Sequence, residues 1–187
     1  MLVHWRHYYT ARWHLWRKNP AAAAREYQHA LALKPNFWLA TAALGHLQAS
    51  ERRFPDAVHS FERALALKPG DADILFNLGF VQAADRHDDD AIRSFERAVA
   101  VNPAHDRAWY GMGLSWAHKG DHARAAELFK KASELQPFNP HALYQLAMAN
   151  HALGNTEEVQ KILRRVSGFD PVMTRQIAKE TGLTPPP

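Results

Sequence analysis

Twelve histidines and one run of aspartates are the residues of this 187-residue chain that could hold a metal ion or move a proton. His118 and His122 stand four apart, the spacing at which two imidazoles on one helix face bind zinc, but Gly120 and Asp121 between them mark a turn. No glutamate completes a zincin-like motif there. His4 and His7 lie in the opening helical stretch, and no carboxylate is expected beside them to finish a site. The run Asp85-Arg86-His87-Asp88-Asp89-Asp90 invites a calcium reading. An EF-hand loop needs oxygen ligands at alternating positions and a glycine at the sixth, whereas His87 takes the third place here and Asp90 the sixth. Acids at the start of a helix suit its positive end, so the run reads as capping. There is no cysteine, hence neither a disulfide framework nor a thiolate site. P-loop, Rossmann glycine pattern and nucleophile elbow are all missing from the sequence. The expectation is a non-enzyme with no cofactor and no metal.

Charge narrows the partners. The net charge of +4 is unevenly spread: residues 1 to 37 hold Arg6, Arg12, Arg17, Lys18, Arg25 and Lys34 against Glu26 alone, while residues 72 to 105 hold six acids against three arginines. A basic end attracts an acidic protein or an anionic lipid surface. Nucleic acid fits less well, because the positive charge stops near residue 37 and does not run along a track. The opening has histidine and arginine where a secretory signal needs an unbroken apolar core, and no run approaches the roughly 20 apolar residues of a membrane span. A cytoplasmic protein is expected, or a domain excised from a longer chain.

The elements that would position any site follow from a 34-residue recurrence. Leu75, Leu78, Gly79, Ala91, Phe95, Ala98 and Pro103 reappear as Trp109, Met112, Gly113, Ala125, Phe129, Ala132 and Pro137, and one step earlier as Thr41, Leu44, Gly45, Ala57, Phe61, Ala64 and Pro69. Weaker copies flank these three. Ala11, Ala23, Tyr27, Ala30 and Pro35 stand on one side; Leu143, Leu146, Ala147, Leu163 and Pro171 stand on the other. Glycine inside an apolar helical pattern costs about 1 kcal/mol against alanine, so each must be offset by close helix contact, here against the small Ala57, Ala91 and Ala125. Each proline closes a second helix. Helices are expected near residues 4–17, from Pro20 with Asn19 as cap, 38–50, 54–67, 72–84, 88–101, 106–118, 122–135, from Pro140, after Asn155, and 171 to 181. Asn155 and Glu158 have the spacing of a capping box. Val172, Met173 and Ile177 would cover the exposed end of the fifth unit, Gly182 would stop the last helix, and residues 183–187 would form a loose tail.

This pattern resembles the tetratricopeptide repeat over nearly the whole chain. The resemblance implies one all-α domain over residues 1–187, an α-solenoid of antiparallel helix pairs in a right-handed superhelix, with units 4–37 (degenerate), 38–71, 72–105, 106–139 and 140–173 and a capping helix at 171–182. It also implies a protein-binding scaffold. In the family the first helices line a concave groove, and the second, fifth, sixth, ninth and twelfth positions of each unit face the ligand. The fifth positions here are Tyr8, Ala42, Phe76, Tyr110 and Tyr144 and the ninth are Arg12, His46, Phe80, Leu114 and Met148, with Asn77, Arg107, His141 and Gln145 facing the same way. The expected partner is a peptide with apolar anchors. The carboxylate clamp with which some members hold chaperone tails is not implied, since only Asn77 and Arg107 fall in register while Ala42, His46 and Gly111 take the other places. No packing rule of the repeat is expected to demand a ring at the fifth position. A second reading puts function on the basic, aromatic first helix, where Trp13, Trp16 and Arg17 would support self-association or attachment to an anionic membrane or acidic partner.

Overall fold

The computed structural model describes residues 2–184, and within them the chain forms eleven α-helices and no strand. Met1 and the expected proline tail, Pro185 to Pro187, lie outside the described residues. The helices divide between two compact units meeting at Val101 and Asn102.

The first unit holds α1 (Val3–Trp16), α2 (Pro20–Leu33), α3 (Trp38–Ser50), α4 (Phe54–Leu67), α5 (Ala72–Ala84) and α6 (Asp88–Val101). They pack as three hairpins, α1 on α2, α3 on α4 and α5 on α6, with α2 against α3 and α4 against α5. The second unit holds α7 (Asp106–His118), α8 (His122–Leu135), α9 (Pro140–Ala152), α10 (Thr156–Ser167) and α11 (Pro171–Thr181). Here α7 pairs with α8 and α9 with α10, while α11 closes onto both α9 and α10.

The second, third and fourth hairpins are each seated on a ring from the second helix. Phe61, Phe95 and Phe129 are fully buried, and a Cβ added to Gly45, Gly79 or Gly113 would stand 3.1, 2.8 or 2.7 Å from them. Sequence reasoning assigned that closeness to the small alanines. The alanines are buried as expected, but the atom a side chain would strike first is the ring, and only at Gly79 does the alanine backbone, Ala91 O at 3.1 Å, come close as well. Unit five replaces the pair by Ala147 and Leu163, both fully buried with Val159, Val166 and Ile177. Ile177 and the half-buried Met173 cover that end of the core as expected, but Val172 is 67% exposed. Leu183, expected in the loose tail, packs against the same cluster.

The turn inside every hairpin has one geometry. Lys18, Arg52, Arg86, Gly120 and Gly154 all adopt left-handed angles, φ 56°, 59°, 65°, 81° and 74°, at the 34-residue spacing. The amide after each reaches back five residues, Asn19 N to His14 O at 2.9 Å and Asp121 N to Trp116 O at 3.0 Å among them, which satisfies the last carbonyls of the first helix in a Schellman motif. Caps then start the next helices: Asn19, Asp71, Asp121, Asn139 and Asp170 accept from backbone amides with their side chains. The capping box at Asn155 does not form. Its amide group donates instead to Asn150 Oδ1 at 3.2 Å, and Glu158 pairs with Lys161.

Candidate functional site

The rings of the fifth position are fixed by their own hairpins. Tyr8 lies 5.8 Å from Tyr27 and 5.4 Å from Phe37, Phe76 lies 5.9 Å from Phe95, and Tyr110 lies 5.6 Å from Phe129, measured between ring centroids. In the third and fourth repeats the reason is the glycine three residues after the fifth position, Gly79 or Gly113: with no side chain there, the second-helix ring slides through and meets the ring at the fifth position, while in the first repeat Ala11 takes the glycine's place. Ring pairs of this kind add about 0.5 to 1.5 kcal/mol beyond area burial, so packing does favour a ring there and the sequence expectation is corrected. In the second repeat Ala42 is buried and His46 supplies the contact, edge-on to Phe61 at 5.2 Å. All four fifth-position rings, Tyr8, Phe76, Tyr110 and Tyr144, are half-buried.

The ninth-position row is more varied. In the first unit Phe80 is 58% exposed, with the Phe76 ring 6.3 Å away. Asn77 Nδ2 lies 3.2 Å from His46 Nε2 and donates to it when that nitrogen is unprotonated, which links α3 to α5 across one repeat. His46 is exposed as a residue, but its ring lies against Phe61, and the desolvation there holds the imidazole below its ordinary pKa, with Asp73 pulling the other way. Tyr8 belongs to a separate cluster with Trp5, Tyr27 and Phe37, and Arg12 is exposed on the same helix. In the second unit Tyr110 receives a hydrogen bond from Gln145, and burial raises its pKa. Leu114 packs with Ala125, Phe129 and Ala149, while Arg107 is exposed. Tyr144 donates its hydroxyl proton to Glu180 Oε2 at 2.6 Å, and Met148 packs against the cluster of Leu143 and Ile177. The fifth repeat's share of the face is therefore partly covered by α11. The Tyr144 bond raises the phenol pKa and lowers that of Glu180.

On α1 the aromatics separate into two sets. Trp5 and Tyr8 pack on Phe37, whereas Tyr9, Trp13 and Trp16 are 58%, 48% and 79% exposed. The Arg17 guanidinium sits over the Trp13 ring at 4.9 Å. One expectation fails here: a carboxylate does stand beside His7. Helix pairing brings Glu26 across from α2, with His7 Nδ1 2.7 Å from Glu26 Oε2. Nineteen residues separate the two, so adjacency in sequence could not reveal it. His118 and His122 do fall on different helices.

Two further features escaped the sequence reading. Ser60 donates to Gln48 Oε1 at 2.7 Å and Ser94 to Gln82 Oε1 at 2.6 Å, the same bond one repeat apart, and the 34-residue step from Gln48 to Gln82 was the available signal. Phe138, 78% exposed and edge-on to Phe169, had no counterpart in the other repeats to draw notice.

The sequence pattern of the tetratricopeptide repeat matches residues 17–72, 42–87, 84–140 and 117–176, and the chain belongs to that family. Proteins of this family are in general non-catalytic scaffolds for protein–protein interaction. No curated protein matches the sequence. Among solved structures, MamA superposes with a TM-score of 0.83 at 20% identity, covering 100% of this chain and 99% of that one. YrrB, described as a TPR protein with an unusual peptide-binding site, superposes at 0.77 with 22% identity over 93% and 90% of the two chains. PilF of Pseudomonas aeruginosa superposes at 0.76 with 20% identity over 96% and 88%. At these identities the likeness is one of fold. Among the described residues no helix is long and apolar enough to cross a membrane.

Proposed function

We propose that this protein is a non-catalytic scaffold that binds a peptide or partner segment with apolar anchors on the faces of its first helices. The observation that carries this reading is Phe80, a large ring 58% exposed beside a half-buried ring and the His46–Asn77 pair. An exposed ring next to polar groups of fixed geometry is what an interface hot spot needs, because the ring gives up water and the neighbours fix direction. YrrB, with its peptide-binding site, is a precedent for peptide recognition on this fold. The second unit, taken by itself, offers Tyr110, Leu114 and Arg107 for the same kind of contact, while Tyr144 serves it to a lesser degree because its hydroxyl is held by Glu180 of α11 and Met148 packs on the Leu143 cluster.

A second reading rests on α1. Trp16 is 79% exposed and Arg17 lies on Trp13, which suits an acidic partner, a second copy or an anionic surface. A photo-crosslinking residue placed at Phe80 and, separately, at Trp16 separates the two. Retrieval of one partner segment from position 80, with its apolar residues at the crosslink, supports the first-helix reading. The same segment retrieved only from position 16 overturns it.

A further inference from the structure

We propose that His7, Glu26 and His29 form a binding site for one divalent transition-metal ion, zinc fitting best, that ties α1 to α2. Glu26 is the one carboxylate of residues 1 to 37, in company with six lysines and arginines. In the fold it lies between two imidazoles: His7 Nδ1 is 2.7 Å from Oε2 and His29 Nδ1 is 3.9 Å from Oε1. One ligand atom from each residue falls within 4.8 Å of the other two, and among the described residues this is the grouping that brings three such atoms together.

The chemistry of the set fits. Zinc holds histidine nitrogen and carboxylate oxygen at about 2.0 to 2.2 Å, which places tetrahedral ligand atoms about 3.3 Å apart. The short contact here must open slightly and the longer ones must close by about 1.5 Å at most, a range that side-chain torsions cover without moving the helices. Two imidazoles and a carboxylate favour zinc, nickel or copper over calcium and magnesium, which want all-oxygen shells. Glu26 and His29 stand three apart on one helix face, and His7 reaches them from the facing helix, so the ion would staple the hairpin. His7 and Glu26 are half-buried and held, while the exposed His29 leaves an entry path. The proton balance follows from the tautomer. His7 Nδ1 cannot hold a proton and the ion at once, so in the neutral imidazole the proton shared with Glu26 moves through solvent to Nε2, and the ring binds the ion through Nδ1 as a neutral ligand. Three protein ligands leave a fourth position for water or a donor from a partner.

The test is calorimetric titration of the full chain with zinc chloride, with cobalt absorption spectra as a second readout of a nitrogen and oxygen ligand set. One equivalent should bind. His29→Ala, at an exposed position, and Glu26→Gln should each weaken binding about tenfold or more, by analogy with the losses seen even for outer-shell changes. His122→Ala and His151→Ala, both in the other unit, should leave the affinity unchanged, and circular dichroism should show every variant equally helical. No zinc uptake, or uptake that His29→Ala and Glu26→Gln both leave intact, overturns the site.

Discussion

His46 accepts a hydrogen bond from Asn77 only while its Nε2 carries no proton, so this pair is tied to pH. Desolvation against Phe61 lowers the imidazole pKa below its ordinary value of 6.5, and Asp73 partly opposes that. A base with a lowered folded pKa contributes its stability in full above the unfolded value. The contribution is lost as pH falls below 6.5 towards the folded midpoint, where the unfolded state has already taken up the proton. Proton NMR should find the His46 midpoint under 6.5, and Asp73→Asn should move it further down. A midpoint at or above 6.5 would show that the apolar surroundings do not reach the ring. The same bond ties His46, edge-on to Phe61, to Asn77 on the helix that carries Phe76 and Phe80, so acid should loosen the polar edge of the binding face before it touches the rings.

At the scale of the element, the turn between paired helices explains both a success and a failure of sequence reasoning. The left-handed angle at the end of each first helix is met by glycine at Gly120 and Gly154 but by Lys18, Arg52 and Arg86 in the first unit. Left-handed angles cost an ordinary residue about 1 kcal/mol or more, and glycine is excused. Lys18→Gly, Arg52→Gly and Arg86→Gly should therefore each stabilise the chain by about 0.5 to 1 kcal/mol, after the unfolded-state entropy of glycine is deducted. Gly120→Lys should cost a similar amount. Chemical denaturation midpoints check this, and a lower midpoint for all three glycine variants would contradict it. Helix positions and the recurring glycines and phenylalanines were legible because they repeat residue types at one spacing, but that each glycine meets the ring and not the alanine was not. The turn geometry was not, since charged and glycine residues share it and only the backbone reveals the equivalence. Nor was the His7–Glu26–His29 grouping, which belongs to a degenerate repeat and has no periodic echo. The Asn155 box failed for a related reason: the Asn155 backbone amide, from which Glu158 would have to accept, is taken by Asn150 O at 2.9 Å in the turn, and Glu158 pairs with Lys161.

For the whole molecule, the repeated hairpin does two things with one set of residues. Phe61, Phe95 and Phe129 close the core, and the rings or imidazole they lean on, His46, Phe76 and Tyr110, keep an edge towards solvent. Replacing Phe76 or Tyr110 would therefore disturb packing and binding together. Phe80 avoids that ambiguity, being mostly exposed, so its loss should barely alter folding while removing an anchor. The most direct measurement is a titration of the crosslink-identified partner segment against wild type, Phe80→Ala, and the double variant Arg12→Ala with Arg17→Ala. Loss of a buried anchor costs about 2 kcal/mol, so Phe80→Ala should weaken binding at least about tenfold with an unchanged melting curve, and raising the salt should matter little. Full affinity in Phe80→Ala together with loss in the arginine variant would contradict the account and move the function to the exposed tryptophans of α1.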